Sequence, residues 1–217
     1  MAEVVDVVRG RGGELVLRRD GEAFEVIANG VFLMDTRNGE SERLLVTGAA
    51  DALAPGARIL IGGLGVGFSL RAALDHPNVA EAVVVEREPA VITWNRGGPL
   101  RTVHEDALAD PRVTVVEADL VAWLRETGET FDALCLDIDN GPEWTVTDGN
   151  AALYGESGVD GLAERLRPGG VLAVWSAGAA PSFTERLRSR FADVRVAVVP
   201  VPRGEPDVVW FAKMSGR

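Results

Sequence analysis

The stretch Arg58-Ile59-Leu60-Ile61-Gly62-Gly63-Leu64-Gly65-Val66-Gly67 constrains this chain more than any other. A short apolar run ends in clustered glycines, and a helix-like segment from Phe68 to His76 follows. A second apolar run, Ala82-Val83-Val84-Val85, then ends in Glu86. Strand, glycine loop, helix, strand and an acid roughly 20 residues past the loop form a nucleotide-binding pattern. Glycines let the backbone turn tightly and approach a ligand with no Cβ in the way. An acid at the tip of the second strand is placed to accept both hydroxyls of a ribose. Gly62, Gly63, Gly65, Gly67 and Glu86 are therefore the first candidate cofactor-binding residues.

Around this unit the chain falls into two parts. In residues 1–45, Glu14–Arg19 and Ala23–Ala28 flank Asp20-Gly21, a hairpin signal, and Asn29-Gly30 leads into Val31–Met34. These three runs predict a small antiparallel meander. A helix from Ser41 to about Leu53 follows, with Ser41 as its cap. In residues 46–217, apolar runs at 58–62, 82–86, 113–116, 131–137, 170–176, 193–201 and 207–213 are separated mostly by amphipathic segments. These lie near 67–76, 88–96, 119–126, 154–167 and 180–191. Such alternation predicts a parallel sheet covered on both faces. The last two runs are linked only by Pro202-Arg203-Gly204-Glu205-Pro206, so they are expected to pair antiparallel. The fold class is α/β, with a Rossmann-like sheet of the class I methyltransferase type that ends in an antiparallel hairpin.

Composition narrows the partners. Across 217 residues the net charge is -11, which argues against nucleic acid and anionic membranes and suits a cationic small substrate. No apolar run approaches the roughly 18–20 residues that span a bilayer, and Met1–Arg11 does not read as a secretory signal. The single cysteine, Cys135, lies within an apolar run. It predicts a core residue in a reducing, cytoplasmic compartment. His76 and His104 have no ligand-like spacing, so no zinc site is expected.

In open α/β sheets the ligand lies beyond the carboxyl ends of the strands. Behind the third strand stands Glu117-Ala118-Asp119, and behind the fourth Asp137-Ile138-Asp139-Asn140-Gly141-Pro142. Trp175-Ser176-Ala177-Gly178 follows the fifth. Asp119 is suited to cap the next helix and to face an adenine amino group. Asp137 and Asp139 are the catalytic candidates, since a carboxylate beside a protonated amine takes its proton and frees the lone pair. Paired Asp with Asn also suits a divalent cation. No further acids follow at calcium-loop spacing, and no metal is expected. Trp94 reads as a core or interface residue.

These residues resemble the spermidine/spermine synthase family, the aminopropyltransferases. The likeness runs from about Glu14 to Trp175. It includes the β-rich beginning, the glycine loop, the Val-Glu strand end at Glu86, and Asp110-Pro111-Arg112-Val113 before the third strand. Phe131–Asp137, Leu153-Tyr154 and Leu166-Arg167-Pro168-Gly169-Gly170-Val171 complete it. The resemblance implies transfer of an aminopropyl group from decarboxylated S-adenosylmethionine to a small-molecule amine, within a homodimer. It implies that Glu86 holds the ribose, Asp119 the adenine amino group, and that Asp137 orients and deprotonates the attacking amine.

The departures lie on the amine side. Gly65 stands where the family has an Asp that grips the ammonium of the aminopropyl arm. Leu33 stands where it has Gln. Glu40-Ser41-Glu42 replaces a Tyr-His-Glu box, with Glu42 the matching position, and the Asp137 loop is shortened. The adenosine half is thus retained and the amine half rewritten. That pattern leaves open another acceptor, methyl transfer from intact S-adenosylmethionine, or a nucleotide-binding relative without catalysis.

Overall fold

The computed structural model describes residues 2–138, 140–145, 148–202 and 204–216. Four strands come first: β1 (Glu3–Gly10), β2 (Gly13–Asp20), β3 (Ala23–Ala28) and β4 (Val31–Asp35), paired antiparallel in that order. Three were expected. The unforeseen β1 is an edge strand whose Val4, Val5 and Val7 are exposed, while its inward face, Asp6, Val8 and Gly10, is only partly buried and holds a single apolar side chain. Its two-residue turn docks on the rest of the chain. The Arg11 and Gly12 amides donate to the two carboxylate oxygens of Glu88 at 2.8 and 3.2 Å.

Helix α1 (Glu40–Ala50) leads into β5 (Ala57–Gly62), α2 (Phe68–Asp75), β6 (Val79–Glu86) and α3 (Pro89–Arg96). Next come β7 (Val113–Glu117), α4 (Leu120–Glu126) and β8 (Phe131–Leu136), then α5 (Ala151–Tyr154), α6 (Glu156–Glu164) and β9 (Leu166–Ser176). The chain closes with α7 (Pro181–Arg190), β10 (Asp193–Val199) and β11 (Asp207–Lys213). The seven-stranded sheet runs β10-β11-β9-β8-β5-β6-β7. From β7 to β9 neighbouring strands are parallel, and β11 enters antiparallel between β9 and β10. The predicted sheet type and terminal hairpin are both present.

Two details differ from the expectation. The helix expected over 154–167 is shorter, as α6 (Glu156–Glu164): extended backbone at Gly155 separates it from α5, and Leu166 and Arg167 already belong to β9. And Ser41 does not cap α1. Gly39 precedes the helix, while Ser41 is buried and turned toward the sheet.

Strand residues alternate between two cores because successive side chains point to opposite faces. Ile59, Ile61, Val84, Cys135, Ala173 and Phe211 join Leu45, Leu70 and Val91 on one face, along with Leu15, Leu17 and Val26 from the small sheet. Leu60, Val85, Leu134, Leu172 and Trp210 meet Leu120, Leu162, Phe183 and Leu187 on the other. Burial pushes the Cys135 thiol up to about 12, as befits a core residue. Trp94 is also buried, and its Nε1 donates to Asp6 at 2.8 Å.

Trp210 anchors the second core. Its ring meets Phe183 edge-on at 5.4 Å, and its Nε1 donates to Thr184 Oγ1 at 2.8 Å. Trp210→Ala is expected to cost about 3–5 kcal/mol, read as a lower urea midpoint at unchanged slope. Among the described residues, no helix is long and apolar enough to cross a membrane.

Candidate active site

The parallel strands deliver their carboxyl ends to one edge, where the glycine loop lies. The Gly63 amide donates to Val85 O at 2.9 Å, and the Asp137 amide donates to Gly62 O at 2.9 Å. The loop is thus tied to both neighbouring strands. Gly63 and Gly67 hold left-handed backbone, with φ of 88° and 92°. There the absence of a Cβ is required, and Gly67 sits at the start of α2.

Glu86 reaches from the end of β6 to this loop. One carboxylate oxygen accepts from the Leu64 amide at 2.9 Å and the other from the Glu88 amide at 2.7 Å. Burial holds its carboxyl above the ordinary range, and the backbone amides offset part of that rise. A carboxylate offers about four acceptor positions, so these amides do not use up its capacity to accept from a ligand hydroxyl. Asp119 caps α4 by accepting from the Ala122 amide at 3.0 Å. It stands two residues past the end of β7, on the same sheet edge. The β1–β2 turn covers this corner, where the Arg11 guanidinium donates to Glu117 at 2.9 Å.

Asp137 leaves β8 directly beside the glycine loop. It keeps a partial opening to solvent, yet surrounding protein raises its carboxyl to about 8, and the negative charges of Glu42 and Asp207 push the same way. The second catalytic candidate, Asp139, lies outside the described residues.

Glu42 and Asp207 are joined by Ser41. Its Oγ is 2.7 Å from Asp207 Oδ2 and 2.9 Å from Glu42 Oε2, and it accepts from Trp175 Nε1 at 3.0 Å. One hydroxyl proton serves one carboxylate at a time, so close approach of both needs a further proton on the pair. Burial raises both Glu42 and Asp207, in keeping with that count. Beside Asp207 opens a cavity of about 490 Å³, lined by Asn140, Glu143, Trp144, Ser176 and Glu205 among others. The Trp144 ring is exposed at its edge. Among the described residues, no group of three or more His, Cys, Asp or Glu side chains is arranged to hold a metal ion.

The acids expected at the strand tips, Asp139 aside, therefore share an edge with the glycine loop. Resemblance alone points to Glu42, the sequence pattern predicts Ser41 as a cap, and no local signal assigns a part to Asp207 or Trp175. The signal for Asp207 is topological. A strand paired antiparallel in this sheet begins where its parallel neighbours end, so the residue opening the final run lies on the ligand edge.

A family model described as the spermine/spermidine synthase domain matches residues 39–216. The chain is 36% identical over 123 residues to polyamine aminopropyltransferase 1 of Streptomyces coelicolor, an overlap of 56% of this chain and 22% of that one. It is 31% identical over 193 residues to the polyamine aminopropyltransferase of Mycobacterium tuberculosis, covering 86% of this chain and 36% of that one. It thus spans about a fifth to just over a third of the length of these relatives. Among solved structures it is similar to a spermidine synthase in complex with the transition-state analogue AdoDATO. The TM-score is 0.79 at 19% identity, over 99% of this chain and 75% of the other. That likeness speaks to the fold alone.

Proposed function

The chain belongs to the spermine/spermidine synthase family, and from that premise we propose that it is a transferase moving an aminopropyl group from decarboxylated S-adenosylmethionine to a small-molecule amine. The observation that carries the reading is the placement of Asp137. Its backbone is hydrogen-bonded to the glycine loop, and its carboxyl is close enough to Glu42 and Asp207 to feel their charge. A nucleoside seated on the loop and on Glu86 would bring its sulfonium arm to this meeting of acids.

The sulfonium is itself a good leaving group, so the protein need only supply alignment and a free lone pair. The acceptor ammonium gives a proton to ionised Asp137. The amine lone pair then attacks the carbon beside sulfur. The carbon–sulfur bond breaks, its electron pair stays on sulfur, and a neutral thioether nucleoside leaves. Glu42 and Asp207 hold the acceptor's positive charge, and Asp119 faces the adenine amino group while capping α4. Asp139 is included as a secondary anchor. The reading also takes residues 1–45 as an appendage to a 46–217 transferase domain, in a cytoplasmic homodimer.

One observation favours a second reading, methyl transfer from intact S-adenosylmethionine. Gly65 offers no carboxylate to an ammonium, and a Cβ built there would face Met34 Sδ at 3.4 Å. Melting the protein with each donor separates the two. At a hundredfold excess over Kd, the true donor stabilises by about 2.7 kcal/mol, a rise of about 5–10 °C for a chain this long. We expect the larger rise with decarboxylated S-adenosylmethionine, and methylthioadenosine among the products when a diamine is added. A larger rise with the intact donor, and no methylthioadenosine, would reverse the order of the two readings.

A further inference from the structure

Against the glycine loop lie two buried polar side chains that the proposed chemistry does not use. Asn95, near the end of α3, and His104, in the turns that follow it, are both fully buried. Asn95 Nδ2 donates to the carbonyls of Gly65 and Val91 at 2.9 and 2.8 Å. Two carbonyl acceptors fix the amide's orientation, because only the nitrogen end can donate. The loop is therefore gripped at two successive residues, by Glu86 through the Leu64 amide and by Asn95 through the Gly65 carbonyl.

His104 supports the loop's far end. A Cβ placed on Gly67 would come within 2.4 Å of the His104 Cδ2 atom, so the ring packs directly on the residue that opens α2. His104 Nδ1 accepts from the Ala107 amide at 3.0 Å, which puts the ring's single proton on Nε2. That Nε2–H and Asn95 Oδ1 are both buried, with no hydrogen-bond partner of normal geometry among the described residues.

The same geometry requires a neutral ring. A second proton at Nδ1 would point at the Ala107 N–H, donor against donor, and would place a charge where no solvent reaches. Burial holds the imidazole below its ordinary value and outweighs the His104 backbone carbonyl, Asp106 and the Asn95 backbone carbonyl, which favour charge. Arg71 on α2 adds to the opposition. A base depressed in this way contributes stability above about pH 6.5 that is lost as pH falls toward its folded value.

We infer that Asn95 and His104 are positioning residues that hold the glycine loop in its nucleoside-binding shape, and that protonating His104 loosens the loop and weakens donor binding without touching the donor. The inference rests on the loop being the donor site, as proposed above.

The test uses methylthioadenosine, a nucleoside lacking both the carboxylate and the sulfonium charge, titrated by calorimetry at pH 7.5 and 5.5 into protein shown by circular dichroism to be folded. Wild type should bind about two- to fivefold more weakly at pH 5.5, where only part of the depressed imidazole carries the second proton, and exchange of the 63–67 backbone amides, corrected for intrinsic chemistry, should also rise. His104→Gln, which keeps a side-chain acceptor for the Ala107 amide and carries no titratable charge, should bind near wild type at pH 7.5 and lose the pH dependence. Asn95→Ala should weaken binding about tenfold at both pH values and leave the KM for the amine unchanged, a split that a general loss of fold would not produce. Titration of Glu86 alone would leave the pH dependence intact in His104→Gln, and that result overturns the inference. So does wild-type binding with no pH dependence and no change in amide exchange, a comparison that needs no variant. Failure to bind at either pH would remove the donor site itself, and the inference with it.

Discussion

Asp137→Asn is expected to cut turnover by about two to four orders of magnitude, the usual contribution of a positioned general base. The substitution preserves shape and the Asp137 amide bond to Gly62 O, so the loop should keep its place and methylthioadenosine should bind as in wild type. It removes only the group that takes the acceptor's proton. Activity in the wild type should rise with pH as this carboxyl ionises, since its value of about 8 leaves much of it protonated at neutrality in the free protein. An arriving cation favours the ionised form and moves that rise to lower pH.

Removing a neighbouring negative charge has the same sign. Asp207→Asn should shift the acid limb of the kcat/KM profile to lower pH while raising the KM for the amine. Stability should move opposite to activity. A carboxyl raised in the folded state binds more protons than in the unfolded chain, so it costs stability as pH rises toward about 8. Asp137→Asn should therefore melt above wild type at pH 7–8. Full turnover in the variant, or loss of nucleoside binding along with activity, would remove Asp137 from the chemistry.

Gly63→Ala should be the most damaging single methyl added near the site. The added Cβ would lie 2.3 Å from the Asp137 carbonyl oxygen, a backbone atom with no rotamer to escape by. The residue also holds φ of 88°, which costs a non-glycine residue about 1–3 kcal/mol before any clash. We expect a loss above about 3 kcal/mol in chemical denaturation, together with loss of methylthioadenosine binding, because the clash pushes the glycine loop and the Asp137 loop apart. Two controls separate the causes. Gly30→Ala carries a similar φ of 80° with nothing within 4 Å, and Gly128→Ala has neither problem. The first should show the conformational cost alone and the second almost none. If Gly63→Ala behaves like Gly30→Ala, the two loops are not coupled through this contact.

Much of the molecule was readable from local pattern. The parallel strands reveal themselves as apolar runs because both faces are covered, and the glycines reveal the loop because few other residues adopt its backbone. Glu86 was readable because its distance from the loop is set by one helix and one strand. What escaped was non-local. β1 escaped because its inward face carries one apolar side chain, Val8, between Asp6 and Gly10, while the other valines point outward, so the hydrophobic alternation is inverted. The roles of Ser41, Trp175 and Asp207 escaped because they come from α1, β9 and β11, far apart in the chain, and meet only once the sheet has formed. Asn95 and His104 escaped because an isolated amide and imidazole signal nothing until each is found against a glycine.

Local pattern along the chain is enough to specify the α/β class, the glycine loop, the strand-tip acids and the terminal hairpin. Each is a local property of backbone freedom, hydrophobic period or turn chemistry. Which acids stand together depends on how the chain folds back on itself. Insertion of β11 antiparallel beside β9 reverses the last strand, so the residue that opens it comes to the edge where the parallel strands end. That reversal sets Asp207 beside Glu42 and near Asp137. Crowding three carboxyls away from water is what raises their affinity for protons, and it follows from where the chain returns rather than from the identity of any one residue.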